Sequence, residues 1–497
     1  SASWRYRRGP QGDQGGRMGS NGSRKRSGMA VAVVLAVTTA LVAPASAEIP
    51  VRFVWLEGSA SPGTPSELDR VGVLQIGPRS ARNVLILNPG TSASAAYFAP
   101  LGRLIVSRVK GWQVWAVERR ENQLEDHSVL DLAKTGRASG EELFDYYLGW
   151  LEDPSVTEHF ELIPDEDVAY AREWGMRVEI EDLRRVVELA KRQGHKIVMG
   201  GHSLGGTITT AYATWDFDGR AGAEDLAGLV YIDGGSSPTP VTPEDAMESL
   251  DELRAGSPWL AFGGITAPFA GLFNASGATG VLIDPDSPSR GQQFSLLPAE
   301  LKPPIPVTNI AQYGYALDTE TSPPSLRAAQ AHLGRLADSG DPRGWDQAGE
   351  LTPIRRYATM FSGFGLPGLD GTAWYHPLRL TIDAGAVAAG NANPAQEVLD
   401  VRATHGHDLP RDLLIYAFGA ALGGERVLDA ARVLAEQSGI PEGNLFLIDR
   451  AETYSHNDPN SAYPRNEFVD GLVRFLGCIS RDGRTTGRLP VLAAAGG

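Results

Sequence analysis

The stretch KIVMGGHSLGGTITTAYA, residues 196–213, places a lone serine between glycines at a point where the residue pattern changes. An apolar run typical of a buried strand precedes Ser203, and a run typical of a helix follows it through Tyr212. The pentapeptide from Gly201 to Gly205 matches G-x-S-x-G, a motif in which a sharp turn between strand and helix exposes the serine hydroxyl. A glycine-rich connection that only contains a serine is the simpler interpretation, and the rest of the chain has to decide between the two.

A nucleophilic serine needs a base, and the base needs a third group to orient it. Of the nine histidines, His456 in ETYSHNDP lies just beyond the last predicted strand, where a loop would bring its imidazole to the sheet edge beside Ser203. His202 adjoins the serine but is predicted to point the other way and to pack. A helix that begins directly after Ser203 would also aim its unpaired N–H groups at negative charge forming there.

Short apolar, β-branched runs alternate with helical periodicity on both sides of this stretch. The first two strands resemble a hairpin, and the later strand–helix–strand alternation predicts a mostly parallel, doubly wound α/β sheet with helices on both faces. The predicted strands are 51–58, 71–77, 83–90, 112–120, 196–200, 226–235, the start of 412–424 and 444–450; the predicted helices are 97–109, 176–194, the run after Ser203, 425–439 and 466–477.

The alternation stops after Gly234 and returns near residue 408. The intervening chain is rich in Pro and Gly and carries apolar patches such as SPWLAFGGITAPFAGLF, residues 257–273. These patches predict an inserted, mainly helical or irregular cap that offers apolar surface to a pocket. The predicted division is an upstream segment and cleaved signal peptide at 1–47, a first core part at 48–235, a cap at 236–407, a second core part at 408–478 and a flexible tail at 479–497.

The region from Met18 to Ala47 has the organisation of a secretory signal peptide. A basic Arg-Lys-Arg run at 24–26 precedes the apolar run 29–43, and Ala45-Ser46-Ala47 supplies the small residues of a cleavage site. The apolar run is shorter than the ~20 residues that span a bilayer. We therefore expect cleavage after Ala47, export of the mature chain and no stable membrane anchor.

The net charge of the chain disfavours two classes of partner. Residues 1–47 hold seven Lys/Arg and one Asp, so the remaining chain is near −21 against −15 for the whole. Such a charge argues against nucleic acid or an anionic membrane surface as a partner.

Cys478 is the only cysteine, so no internal disulfide can form and the core alone must stabilise the fold.

Over residues 50–235 and 408–478 the chain resembles the α/β-hydrolase superfamily, as a secreted serine esterase or lipase-like member with a large cap after the sixth strand. The motif around Ser203, the predicted strand and helix on either side of it, and the position of His456 carry this resemblance. It implies a nucleophile at Ser203, a histidine base at His456 and the chain order Ser, acid, His. It also implies no organic cofactor and no metal.

The acid departs from the commonest pattern of that family. An acid is expected just after the seventh strand, but the stretch there is FGAALGGE, with no acid before Glu425. Asp233 in YIDGG, at the end of the sixth strand, is the favoured candidate, since some secreted lipases of the superfamily place their acid there. Glu425 stays the alternative, although a glutamate in the first turn of a helix also complements the helix dipole.

The resemblance also implies two backbone N–H donors for an oxyanion. One is the amide of Leu204, and the other is the amide of Thr91 in NPGTSAS, residues 88–94, unless that stretch is a plain Pro-Gly turn. The polar stretch ERRENQLEDHS, residues 118–128, is interpreted as a solvated loop, with lining of the site entrance as the alternative.

The resulting prediction is hydrolysis of small or polymeric carboxylic esters with a hydrophobic part. Amide or lactone hydrolysis by the same residues stays open, as does a non-catalytic binding protein on the same fold. Epoxide hydrolases and haloalkane dehalogenases are disfavoured because they carry Asp at the position of Ser203. His405 and His407, in HGHD, are predicted to be solvated rather than metal ligands. The oligomeric state stays open.

Overall fold

A computed structural model of the chain describes residues 48–480; the predicted leader and nearly all of the predicted tail lie outside the described residues. The centre is an eight-stranded sheet in the order β1-β2-β4-β3-β5-β6-β9-β10, and β7 and β8 form a separate hairpin. The strands are β1 (Val51–Glu57), β2 (Arg70–Ile76), β3 (Asn83–Asn88), β4 (Trp112–Glu118), β5 (Lys196–His202), β6 (Gly228–Ile232), β7 (Arg335–Gly340), β8 (Arg343–Asp346), β9 (Leu414–Gly419) and β10 (Leu445–Asp449).

Strand direction confirms the predicted fold class. β1 pairs antiparallel with β2, and β2 pairs antiparallel with β4, which is the opening hairpin and its continuation. Every other pairing in this sheet, from β4 through β3, β5, β6 and β9 to β10, is parallel. The carboxyl ends of these parallel strands therefore meet at one edge, where ligands bind in open α/β sheets.

Helices cover both faces because side chains alternate along each strand. In β3, Val84 and Ile86 enter one buried cluster, with α4, α5 and α13, while Leu85 and Leu87 enter the other, with α1 and α15. The helices are α1 (Ala99–Arg108), α2 (Ser128–Lys134), α3 (Gly140–Tyr147), α4 (Met176–Arg192), α5 (Leu204–Thr214), α6 (Pro243–Ala255), α7 (Phe269–Ile283), α8 (Arg290–Gln293), α9 (Asn309–Leu317), α10 (Ile354–Ser362), α11 (Leu378–Ala384), α12 (Pro394–Leu399), α13 (Glu425–Gln437), α14 (Asp458–Ser461) and α15 (Glu467–Ser480).

No helix between residues 48 and 480 combines the length and the apolar character that crossing a membrane requires.

The chain between β6 and β9 holds α6 to α12 and the β7–β8 hairpin. This segment packs against both faces of the sheet, since Leu380 and Val387 belong to one core cluster and Tyr313 and Tyr357 to the other. A third, aromatic cluster joins it to the chain between β4 and α4. The domain boundaries stay a prediction, but the segment shares its core with the sheet.

The prediction of a solvated loop at 118–128 is wrong for its first half. Glu118, Arg119, Arg120, Glu121 and Asn122 are all buried. The arginines are paired with carboxylates, with Arg119 Nε 2.8 Å from Glu121 Oε1 and Arg120 Nη2 2.7 Å from Asp182 Oδ1. Glu118 has no such partner and accepts hydrogen bonds from the Ala95 N–H and Asn122 instead.

Candidate active site

Ser203 stands at a strained turn between β5 and α5, with φ +56° and ψ −125°. Both flanking glycines are required by close backbone contacts. A Cβ on Gly201 would lie 2.0 Å from the Gly205 carbonyl oxygen, and a Cβ on Gly205 would lie 2.0 Å from the Asn88 carbonyl oxygen. The motif therefore reflects packing of the turn on itself and on the end of β3.

Asp233 follows β6 and is 2% exposed. Its Oδ2 accepts a hydrogen bond from His456 Nδ1 at 2.6 Å, while its Oδ1 accepts from the backbone N–H groups of Ala420 at 2.7 Å and Gly423 at 2.9 Å. Burial alone would raise the pKa of the Asp233 carboxyl, but the hydrogen bond and charge of His456 and the Ala420 N–H outweigh it, so the pKa lies below its usual value. The carboxylate is held ionised and aimed at the imidazole.

Glu425 takes no part in this arrangement. It is the first residue of α13, and its exposed side chain makes no hydrogen bond or ion pair within residues 48–480. The turn before it, from Ala420 to Gly424, contributes backbone N–H groups to Asp233 instead of a carboxylate of its own. Asp233 is the acid of this pair that contacts His456.

His202 is buried, as expected of a packing residue, but the prediction that it points away from the site is wrong, because its ring packs on that of His456. The two imidazole centroids are 4.1 Å apart, and His202 Nε2–H donates to the His456 backbone carbonyl at 2.9 Å. Burial and the neighbouring His456 hold the pKa of His202 well below its usual value, so the ring is neutral. Its contact with the His456 backbone could not be predicted from the sequence, because only the fold brings the end of β5 next to the loop that carries His456.

The serine turn packs directly on the end of β6 that carries Asp233. The Ser203 N–H donates to the Ile232 carbonyl at 3.1 Å, and a Cβ on Gly234 would lie 2.5 Å from the Ser203 nitrogen and Cα. Within the described chain, Ser203 Oγ makes no hydrogen bond to His456 Nε2. Such bonds are often long before substrate binds. The fold thus brings the three groups to one sheet edge, and the serine–histidine hydrogen bond is not formed there.

Loop 88–94 passes beside Ser203, since a Cβ on Gly90 would lie 2.9 Å from the Ser203 Cβ. The amides of Thr91 and Leu204 donate no hydrogen bond to any group between residues 48 and 480. Neither amide is engaged by the described chain, whereas the Ser92 N–H donates to His376 Nδ1 at 3.4 Å.

Arg119 supports this loop and was missed by the sequence analysis. Its guanidinium is buried and donates to the carbonyl oxygens of Pro89 at 3.0 Å, Gly90 at 2.9 Å and Ala93 at 2.9 Å. One side chain therefore fixes three peptide units on either side of Thr91. An arginine in a polar stretch after β4 has no pattern in the sequence that reveals such a role.

The HGHD histidines lie away from this site. His405 Nε2 is 3.3 Å from Asp216 Oδ1, and its Nδ1 is 3.1 Å from Asp408 Oδ2. His407 Nδ1 is 3.4 Å from the Gln437 carbonyl oxygen.

Comparison with known proteins finds no matching family model and no matching curated sequence. Among solved structures, a candidate lipase from Sulfolobus solfataricus is 15% identical, with a TM-score of 0.44 over 87% of this chain and 95% of its own. A carboxylesterase structure from Nitrososphaera gargenis is 13% identical, with a TM-score of 0.37 over 86% and 100% of the two chains. A monoglyceride lipase variant from Saccharomyces cerevisiae is 9% identical, with a TM-score of 0.37 over 86% and 95%. Similarities this distant carry no information on activity; strand order and direction define the fold.

Proposed function

The described chain has the α/β-hydrolase fold, and on that premise we propose that it is a serine hydrolase of carboxylic esters. Ser203 is the nucleophile, His456 the general base and acid, and Asp233 the residue that orients the imidazole. The single observation that carries this proposal is the 2.6 Å hydrogen bond from His456 Nδ1 to a buried Asp233 carboxylate, at the sheet edge where the Ser203 turn lies.

Acylation begins when Ser203 Oγ attacks the ester carbonyl carbon and His456 Nε2 accepts the hydroxyl proton. The carbonyl oxygen becomes an oxyanion, to which the Thr91 and Leu204 amides donate. Asp233 stabilises the imidazolium that forms. When the carbon–oxygen bond to the alcohol breaks, His456 returns its proton to the departing alkoxide, and the acyl group stays on Ser203.

Deacylation repeats these steps with water as the nucleophile. His456 takes a proton from water, the hydroxide adds to the acyl carbonyl, and the same two amides stabilise the second oxyanion. Ser203 leaves with the proton from His456, and a carboxylic acid is released. No step needs an oxidant or a reductant.

The composition of the cap supports substrates with a sizeable hydrophobic part. Several large apolar side chains between β6 and β9 are exposed, among them Phe262 at 43% and Leu296 at 55%. Acyl esters, lipids and polyester fragments share this chemistry. A series of p-nitrophenyl esters tests it: kcat/KM should rise with acyl length, and a flat series would remove the hydrophobic substrate class.

Covalent labelling by a fluorophosphonate probe tests the reaction class. The folded wild type should be labelled and Ser203→Ala should not, while thermal unfolding shows that both are folded. Absence of labelling in folded wild type would favour a non-catalytic binding protein. Labelling with turnover of anilides or lactones, but not of open-chain esters, would replace the proposed substrate class and keep the nucleophile.

We also propose that the mature chain is exported, because residues 18–47 have the organisation of a secretory signal peptide. Expression of the chain in a bacterial host should release a protein whose N-terminal sequence starts at Glu48. Retention of the full leader on an intracellular protein would contradict it.

A further inference from the structure

Three side chains with metal-ligand atoms meet in a buried cluster outside the proposed active site. Glu125 and His127 lie between β4 and α2, and Asp370 lies between α10 and α11. Their side chains are 1%, 9% and 0% exposed. His127 Nε2 is 3.2 Å from Glu125 Oε2 and 3.1 Å from Asp370 Oδ2, and all three atoms lie within 4.8 Å of one another. Between residues 48 and 480, no other group of this kind is found.

Neighbouring donors satisfy the outer sides of both carboxylates. Asp370 Oδ1 accepts from the N–H and the hydroxyl of Thr372, each at 2.6 Å, and Asp370 Oδ2 accepts from Trp374 Nε1 at 2.9 Å. Glu125 Oε1 accepts from the Trp374 N–H at 2.7 Å. The lone pairs that remain on Asp370 Oδ2 and Glu125 Oε2 both face His127 Nε2. This is the arrangement in which outer donors orient metal ligands.

A protonated His127 satisfies this cluster incompletely. A single Nε2–H has to serve two carboxylate oxygens, at 3.1 and 3.2 Å, whereas a charge-assisted N–H···O bond is usually about 2.7–2.9 Å long. Glu118 is a third buried carboxyl close enough to interact with both His127 and Asp370, and its side chain accepts only from the Ala95 N–H and Asn122. Three buried carboxyl groups therefore lie around one imidazole, and a divalent cation would supply positive charge that a single imidazole does not.

We propose that Glu125 Oε2, His127 Nε2 and Asp370 Oδ2 bind one divalent cation of the Zn²⁺ type. Ligand atoms about 2.0–2.2 Å from a tetrahedral Zn²⁺ stand roughly 3.3 Å apart, close to the two spacings at His127 Nε2. One imidazole and two carboxylates suit Zn²⁺ better than Ca²⁺, which takes six to eight oxygen ligands. The proposal does not depend on ester hydrolysis.

The ion would brace the loop beside Ser203 rather than take part in chemistry. The Ala373 N–H donates to the Ser92 carbonyl at 2.9 Å, and the Ser94 N–H donates to the Gly371 carbonyl at 3.3 Å. The Ser94 hydroxyl donates to the Asp370 backbone carbonyl. The segment that carries Asp370 is therefore hydrogen-bonded to loop 88–94, and the ion would tie both to the Glu125–His127 loop.

Metal content of the purified full chain tests the proposal. After dialysis against micromolar Zn²⁺ and then metal-free buffer, elemental analysis should find about one Zn²⁺ per chain. His127→Gln should lower Zn²⁺ affinity by more than the 10–100-fold that loss of an outer partner costs. His405→Gln is the matched control, because His405 also lies between two carboxylates, but these are 42% and 68% exposed. It should bind Zn²⁺ like wild type.

Two further measurements keep the test decisive if His127→Gln folds poorly. Co²⁺-loaded wild type should show stronger visible absorption than aqueous Co²⁺ does, and one equivalent of Zn²⁺ should abolish it. Chelation should lower the Tm of wild type, and Zn²⁺ should restore it. Wild type that binds no ion and keeps its Tm with chelator would show that the cluster is an ion pair of protonated His127. Equal binding by wild type and folded His127→Gln would also overturn the site. Fluorophosphonate labelling reports on Ser203 separately.

Discussion

Asp233 owes its role in the proposed triad to the backbone around it. Oδ1 is occupied by N–H groups of the turn after β9, which leaves Oδ2 for His456. In the proposed triad, a carboxylate at the end of β6 takes the place of one after β9, which is the seventh strand of the central sheet. The turn after β9 supplies the N–H donors that hold this carboxylate. Glu425, in the helix that follows this turn, is exposed to solvent.

Asp233→Asn should lower kcat for an ester substrate by on the order of 10³–10⁴. The amide can still accept the backbone hydrogen bonds through its oxygen, but its NH₂ would face His456 Nδ1–H and disfavour the productive tautomer. Glu425→Gln should stay within about twofold of wild type. A reversal of these two effects, in variants with wild-type Tm, would move the acid to Glu425.

Glu179 shows a different consequence of burial, on α4. It is 7% exposed, and its Oε1 has no hydrogen-bond partner among the described groups. Burial raises the pKa of Glu179 to about 8, with Arg119 opposing the rise and Glu121 adding to it. An unfolded glutamate has a pKa near 4.3. Between these two pKa values, the folded state keeps a proton on Glu179 that the unfolded state releases. The free energy of unfolding therefore falls as pH rises.

Glu179→Gln removes this pH-dependent loss. The free energy of unfolding of the variant relative to wild type should increase from pH 5 to pH 8, because only wild type has to keep a proton or bury a charge. Urea unfolding at the two pH values measures it. A difference that is the same at both would show that Glu179 titrates alike in the folded and unfolded states.

At the level of elements, the turn between β5 and α5 depends on how closely three backbone segments approach. Gly205, in the first turn of α5, has no room for a side chain against Asn88 at the end of β3. Gly280, in α7, is also helical but has no atom within 4 Å of where its Cβ would lie. The two glycines share a backbone conformation and differ in their surroundings.

Gly205→Ala should destabilise the protein by about 3 kcal/mol or more, since the new methyl group meets backbone rather than a movable side chain. Gly280→Ala should instead stabilise it by up to about 1 kcal/mol, through helix propensity. Chemical denaturation of both variants measures this. Equal effects would mean that β3 moves away from α5 at little cost.

The whole molecule shares its core between the sheet and the segment from β6 to β9. The His456 loop depends on that segment: the His456 N–H donates to the Ala328 carbonyl and the Asn457 N–H to the Gln330 carbonyl, each at 3.0 Å. The segment therefore supports the loop that carries the histidine of the proposed triad.

Deletion of residues 236–407 should consequently abolish cooperative unfolding rather than produce an open enzyme. The deletion would expose apolar side chains on both faces of the sheet and remove the acceptors of the His456 loop. Thermal unfolding followed by near-UV circular dichroism measures it. A chain truncated after Ser480 keeps every described element and should unfold cooperatively. A cooperative transition in the 236–407 deletion would show an independent cap.

The sequence by itself determined the sheet class and the eight strands of the central sheet, although it did not predict the β7–β8 hairpin or the helices α2 and α3. Hydrophobic period, glycine positions and the strand–turn–helix pattern around Ser203 are local properties, and local properties decide which residues form strands and helices. Asp233, at the end of one predicted strand, and His456, just beyond another, became candidates because parallel strands end at one edge of a sheet and because the chain resembles the α/β-hydrolase superfamily.

Only the tertiary structure decided which polar groups meet. Four contacts join residues far apart in the chain: Asp233 with His456, His202 with His456, Arg119 with loop 88–94, and the Glu125–His127–Asp370 cluster. The same cause buried Glu118 to Asn122, a stretch that its composition predicts to be solvated. Burial and pairing depend on which segments the fold places against each other. No periodic pattern in the sequence predicts which distant residue a polar side chain will contact.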